Sequence, residues 1–160
     1  MPQPSPQIDE KSRIADQLKR AFEGDAWHGP AVLEVLEGVS ARAAASKPLP
    51  GAHSIWELVL HIAAWDGAIR RRMEGQALQL TDAQDFPPVK DTSDAAWREA
   101  LENVKQRHTE LIQGVLSMPD HRLTSQVPGK DYDFYHMLHG AVQHELYHAG
   151  QIALLKKVAR

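Results

Sequence analysis

The sequence predicts an all-α fold, a four-helix bundle whose first helix is kinked or split. Apolar residues recur every three or four positions in four long stretches, which is the spacing of one buried face of an α-helix. Breaks containing proline and glycine separate these stretches, and no segment shows the alternation of apolar and polar residues typical of a half-buried strand. Four long helices in a chain of 160 residues indicate a single helical bundle.

The first helix is expected to begin at Ile8 and to be interrupted at Gly24. A second helical piece is expected to begin at Pro30, which ends a Trp-His-Gly-Pro segment, because proline suits the first position of a helix. The polar, proline-rich residues 1–7 are expected to form a disordered leader, and residues 8–160 to form the one folded domain.

The second long helix has a clear start signal. Ser54 is a favourable N-cap residue, and Glu57 three positions later completes a capping box. The apolar pattern then predicts a helix to about Glu74. Residues 76–92, which include two adjacent prolines, are expected to form a long connection.

The two remaining helices lie in the second half of the chain. The apolar pattern predicts a third helix from Ala95 to about Met118, which Pro119 ends. After a loop, the last helix is expected to span residues from about Phe134 to Val158.

Composition excludes several classes of function. The chain carries 18 Lys and Arg against 21 Asp and Glu, a net charge of −3, so it lacks the basic surface that nucleic-acid binding usually requires. It has no cysteine, which excludes disulfides and thiolate ligands or nucleophiles supplied by the chain itself. No segment resembles a signal peptide or a membrane span, and we expect a cytoplasmic protein with neither a nucleic-acid nor a membrane partner.

The motif His-Glu-Leu-Tyr-His occupies residues 144–148, near the end of the last predicted helix. At about 100° per residue, His144 and His148 lie about 40° apart in a row that is otherwise mostly apolar. Two inward-facing histidines with this spacing can bind one metal ion. The alternative is two core histidines that are hydrogen-bonded to their neighbours, and the spacing alone does not exclude it.

This His-Glu-x-x-His pattern also occurs in zinc metalloproteases, but the rest of the sequence does not fit that class. Those enzymes usually take a third metal ligand from downstream, and no His, Asp or Glu follows His148. Leu154 occupies the region where the extended protease motif has its third histidine. No β-sheet that could border a protease cleft is predicted either. The protease interpretation is therefore rejected.

A third ligand must come from an upstream helix, and His61 is the best candidate. It lies on the flank of the apolar face of the second long helix, from which it could reach a cleft between helices. The alternative is a partly exposed histidine beside Trp65. His28, His53 and His108 are weaker candidates: His108 lies in the apolar row of the third helix, and His53 is expected to lie outside the bundle.

Two residues of the last helix are candidate catalytic groups. Glu145 could act as a general base, but it points about 100° from His144, so the favoured alternative is a residue that supports a metal ligand or forms a salt bridge with the neighbouring helix. Gln151 lies one turn beyond His148 and could orient a ligand by hydrogen bonding, or could satisfy a backbone group. Asp66 is expected to be a solvated charge.

Three segments together resemble the DinB/YfiT-like superfamily of metal-binding four-helix bundles. They are Trp-His-Gly-Pro at residues 27–30, the stretch from Pro48 to Ile62 that contains Gly-Ala-His-Ser-Ile-Trp-Glu-Leu-Val-Leu-His-Ile, and His-Glu-Leu-Tyr-His-Ala-Gly-Gln-Ile at residues 144–152. The resemblance implies a divalent metal, typically zinc or nickel, held by His61, His144 and His148. It also implies that the protein could form a homodimer, as members of the superfamily often do.

The resemblance leaves the reaction open. Some relatives are thiol S-transferases that use bacillithiol, mycothiol or glutathione, some are maleylpyruvate isomerases, and many carry only the general description of metal-dependent hydrolases. Three histidine ligands would leave a coordination position for a small-molecule substrate or water. We therefore consider three functions: a metal-dependent transferase that activates a low-molecular-weight thiol, a metal-dependent hydrolase, and a non-catalytic, stress-related metal-binding module.

Overall fold

Asp9 caps the first helix, because its side chain accepts a hydrogen bond of 2.8 Å from a backbone amide of the first turn. This helix, α1, spans Glu10–Phe22 in the computed structural model, which describes residues 9–159. The predicted first residue of the helix, Ile8, and the expected leader of residues 1–7 lie outside the described residues.

Six further α-helices follow α1 in the described part of the chain, with one short 3₁₀ helix before the last. They are α2 (Val32–Leu36), α3 (Ala41–Ala45), α4 (Ile55–Met73), α5 (Asp82–Asp85), α6 (Asp94–Ser117), the 3₁₀ helix (Asp120–Thr124) and α7 (Phe134–Val158). Residues 9–159 contain no β-strand, which confirms the predicted all-α class, and α1, α4, α6 and α7 are the four long helices of the bundle. None of the described helices has both the length and the hydrophobicity needed to cross a membrane.

The predicted interruption of the first helix is confirmed at Gly24. Its φ of 153° is a conformation that other residues rarely adopt, and α1 ends just before it. The predicted restart at Pro30 is wrong by two residues. The Glu34 carboxylate accepts a hydrogen bond of 2.8 Å from the Ala31 amide, so Ala31 is the cap and α2 begins at Val32.

The central helix α4 packs against α6 and α7, and α1 packs against the same two helices from the other side. The apolar side chains between them form two clusters. One includes Val59, Ile62, Trp97, Val104 and Ile152, and the other includes Leu18, Ile69, Leu111, Leu138 and Ala141. Between these two clusters, α4, α6 and α7 carry buried polar residues. The candidate site is built from residues of this polar region.

Candidate metal centre

Helices α4 and α7 bring together His61, His144 and His148, the three predicted ligands. The Nε2 atom of His144 lies 2.9 Å from Nε2 of His61 and 3.1 Å from Nε2 of His148. His61 and His148 are buried, and His144 is half-buried. Residues separated by 83 positions in the chain thus present their ring nitrogens to one point.

The other ring nitrogens of two of these histidines are held by hydrogen-bond acceptors. Nδ1 of His61 donates to the backbone carbonyl of Asp85 at 2.8 Å, and Nδ1 of His148 donates to Oε1 of Gln151 at 2.6 Å. Because a neutral imidazole carries one proton, these contacts leave a lone pair on Nε2 of each ring. A metal-binding histidine is commonly oriented in this way.

The donor set fits a divalent cation. Nε2 of His144 can donate a proton to only one of its two neighbours, so at least one of the converging nitrogen lone pairs has no donor among the three rings. A cation at the centre would accept all three lone pairs. In a tetrahedral site with bonds of about 2.0–2.1 Å, neighbouring nitrogens lie about 3.3 Å apart, slightly farther than here.

The electrostatics of the site favour neutral imidazoles. Burial, together with the neighbouring His148 and His61, lowers the pKa of His144 to about 3. Burial also lowers the pKa of His61 and of His148 below the usual value of 6.5. The three rings are therefore neutral imidazoles at neutral pH, which is the form that binds a metal.

The three histidines line an open cavity of about 470 Å³. Its other lining residues are mostly apolar or aromatic: Trp65, Ile69, Arg72, Asp85, Tyr132, His136, Met137, Gly140, Ala141 and Tyr147. A cation held by the histidines would therefore have space beside it for a small molecule, which is the arrangement of a catalytic rather than a closed structural site.

The connection of residues 76–92 contributes more to the site than the sequence analysis indicated. The short helix α5 ends at Asp85, whose carboxylate accepts a 2.7 Å hydrogen bond from Nε1 of Trp65. The next residue, Phe86, stacks on the ring of His61 with the centroids 4.0 Å apart. A sequence signal for α5 exists, because Thr81 and Gln84 form a capping box.

A second polar cluster lies deeper in the bundle and consists of Asp66, His108 and Glu145. Asp66 is 1% exposed, so the expectation of a solvated charge is wrong. Nδ1 of His108 lies 3.3 Å from Oδ2 of Asp66 and 2.9 Å from Oε1 of Glu145. Burial lowers the pKa of His108, but the two carboxylates outweigh it and raise this pKa to about 9.

Glu145 therefore faces α6 and not the cavity, which it does not line. Its distance to His108 is that of an ion pair, but neither carboxylate oxygen has a hydrogen-bond donor of good geometry within residues 9–159. Burial raises the pKa of Glu145 to about 7. Gln151, the other candidate catalytic residue, contacts His148 directly.

The three weaker candidates do not join the three-histidine group. His28 is exposed on the segment before α2. His53 is exposed, as expected, and stacks on Phe86 with centroids 3.7 Å apart. His108 belongs to the buried cluster with Asp66 and Glu145.

Comparison with known proteins agrees with the resemblance seen in the sequence. A family model described as the DinB superfamily matches residues 26–152, a span that contains all three histidines and most of the bundle. Searches of curated proteins and of solved structures found no match.

Proposed function

Because the chain belongs to the DinB superfamily, we propose that it is a metal-dependent transferase that activates a low-molecular-weight thiol. In this proposal His61, His144 and His148 hold the cation. Zinc or nickel is the proposed metal, since imidazole nitrogen is a favourable ligand for both. The observation that supports the proposal most directly is the convergence of three Nε2 atoms of histidines that line an open cavity.

When bound, a dipositive cation with three neutral ligands would lower the pKa of a thiol or water in its open position. The chain's own residues supply the rest. Asp85 and Gln151 are proposed as positioning residues, because they accept the Nδ1 protons of His61 and His148 and so keep each Nε2 directed at the centre.

The cavity walls are proposed to hold the electrophilic substrate. Trp65, Ile69 and Met137 present apolar surface beside the histidines, which limits the access of water to a reactive thiol. The chain has no cysteine, so the sulfur nucleophile in this scheme comes from a cosubstrate.

Glu145 is proposed to act through position and not as a base. Its carboxylate is paired with His108 inside the bundle, whereas a general base must reach the proton that it removes. The pair would orient the backbone of α7 at the residue next to His144.

Hydrolysis is the alternative reaction, since the same histidines could hold a cation that activates water. The open cavity favours either reaction over a non-catalytic metal site, in which protein ligands usually fill every position. The two reactions differ in their acceptor and in their need for a thiol, and the experiment separates them on that basis.

The test begins with metal analysis of the natively purified protein. We expect about one equivalent of zinc or nickel per chain, lost in His61→Ala and His148→Ala and retained in His28→Ala, a control at an exposed histidine outside the site. Turnover is then measured with a panel of thiols and an electrophilic acceptor such as monobromobimane, before and after chelation and metal restoration.

Transfer that requires both thiol and metal supports the proposal. Thiol-independent release of product from esters or amides, abolished by chelation, would replace it with the hydrolase. If the protein binds metal but accelerates neither reaction, the non-catalytic metal-binding module is the one remaining function of the three.

A further inference from the structure

Arg72 is a buried cation that has no carboxylate partner within residues 9–159. It lies in the last turn of α4, is 2% exposed and lines the cavity that contains the three histidines. Nε and Nη2 donate to the carbonyl of Leu78 at 3.1 and 2.9 Å, and Nη1 donates to the hydroxyl of Tyr132 at 3.4 Å. A buried charge is usually paired with an opposite charge, and here all the hydrogen-bond acceptors are neutral.

The guanidinium retains hydrogen-bonding capacity after these contacts. It has five N–H groups, and the three hydrogen bonds use one on Nε and one on each terminal nitrogen. One N–H on Nη1 and one on Nη2 therefore have no acceptor within the described residues. These two N–H groups can donate to a carboxylate, the anion that arginine commonly binds.

The charges around the cavity also favour an anion. Asp85 is the one acidic residue among the lining residues, and its carboxylate already accepts from Trp65 and lies 3.1 Å from Nδ1 of His61. Arg72 and a cation at the histidines would together give the cavity an excess of positive charge. A ligand that carries a negative charge would offset it.

Arg72 and the three histidines line the same cavity, close enough for one small molecule to contact both. The Arg72 guanidinium carbon lies 5.3 Å from the Trp65 ring centre, and that centre lies 5.9 Å from the ring centre of His144. These two distances place the guanidinium no more than about 11 Å from the His144 ring. The indole of Trp65 and the side chains of Ile69 and Met137 line the same cavity with apolar surface.

We propose that Arg72 is a carboxylate-binding residue, and that a ligand of this cavity carries a carboxylate at one end and reaches the three histidines with the other. The middle of such a ligand is apolar and packs on Trp65. The inference rests on the proposed function for the metal-binding end, and it restricts the substrates to thiols or electrophiles that are carboxylates.

The test compares two probes that differ only in charge, 6-mercaptohexanoate and 6-mercaptohexanamide. The chain between sulfur and carboxylate is too long for a favourable chelate of one metal ion, so the carboxylate must find another partner. Binding to the zinc-loaded wild-type protein is measured by isothermal titration calorimetry. Because hydrogen bonds to a charged group contribute more than neutral ones, the acid should bind roughly ten- to a hundredfold more tightly than the amide.

Two variants test whether Arg72 causes the preference for the acid over the amide. Arg72→Gln should bind the acid and the amide with nearly equal affinity, and Arg72→Lys should keep part of the preference because it keeps the charge. Arg71→Gln is the matched control, because it changes the net charge by the same amount as Arg72→Gln. Arg71 is the exposed neighbour of Arg72, and its side chain contacts Gln76. Its preference for the acid should equal that of the wild type.

Equal binding of the acid and the amide to the wild-type protein overturns the inference, and this comparison does not depend on whether Arg72→Gln folds. A preference that persists unchanged in folded Arg72→Gln also overturns it.

Failure of the proposed function has a different signature. In that case the protein binds no zinc or transfers no thiol, but the metal-free protein still binds hexanoate more tightly than hexanamide.

Discussion

Oε1 of Glu145 lies 2.9 Å from Nδ1 of His108, and both side chains are buried between α6 and α7. The glutamate of the His-Glu-x-x-His motif is therefore engaged in a helix-to-helix ion pair, next to a histidine that faces the cavity. This arrangement separates the roles of two adjacent residues. His144 is directed to the candidate metal centre, and Glu145 joins α7 to α6.

We expect His108→Leu to lower the free energy of unfolding by about 3–5 kcal/mol, because removing the cation of the buried cluster leaves the carboxylates of Asp66 and Glu145 uncompensated. The triple variant Asp66→Leu/His108→Leu/Glu145→Met should be less destabilised than His108→Leu, since it replaces every charge of the cluster by an apolar group of similar size. Urea denaturation followed by circular dichroism measures both. A triple variant that is as unstable as the sum of the three single variants would contradict the pairing.

The buried cluster should also make the stability of the metal-free protein depend on pH. The two carboxylates raise the pKa of His108 from 6.5 to about 9, so the folded state holds a proton that the unfolded state releases. This contribution is fully present below pH 6.5 and is lost as the pH rises through about 9. The pKa of Glu145 is also raised, so its contribution to stability likewise falls with rising pH, but at lower pH, through about 7.

Chemical denaturation of the metal-free protein at a series of pH values would measure this effect. The free energy of unfolding should fall by at most about 3 kcal/mol between pH 6.5 and pH 9.5. The decline should be much smaller in His108→Leu. A stability that is flat or rising over this range would show that His108 is not protonated in the folded protein.

Gln151 should affect metal affinity more than stability. Gln151→Ala removes the acceptor for Nδ1 of His148, and the loss of such a contact typically weakens metal binding about 10- to 100-fold. Gln151→Glu keeps an acceptor and should retain affinity. Zinc competition titrations measure the change, with Gln143→Ala as a control at an exposed position of the same helix. Equal losses in Gln151→Ala and Gln151→Glu would argue against an orienting role.

The homodimer implied by the family resemblance stays a prediction, and α7 offers a surface on which to test it. Tyr147, Leu154 and Val158 are exposed and lie within an arc of about 40° on the helix. We expect Leu154→Glu to convert a dimer to a monomer in light scattering coupled to size-exclusion chromatography. Leu116→Glu, at an exposed leucine of α6, should leave the dimer intact. A monomeric wild-type protein would exclude the dimer itself.

The sequence alone predicted the features that depend on local periodicity. Helix α4 begins where the capping box of Ser54 and Glu57 places it, and α7 spans the predicted residues. His144 and His148 face inward because a spacing of four residues keeps two side chains on one side of a helix. His61 was identifiable from its place on the flank of the apolar face of α4.

The tertiary structure decided which helix faces meet, and this determined the roles of the buried polar residues. Asp66 and His108 are 42 residues apart, and no local pattern indicates that Nδ1 of His108 faces the carboxylates of both Asp66 and Glu145. The helical period gives a side chain's direction, but its partner and its solvation depend on the packing of distant segments. For the same reason Asp85, on a connection, and Arg72, at the end of α4, entered the site only when the chain was folded.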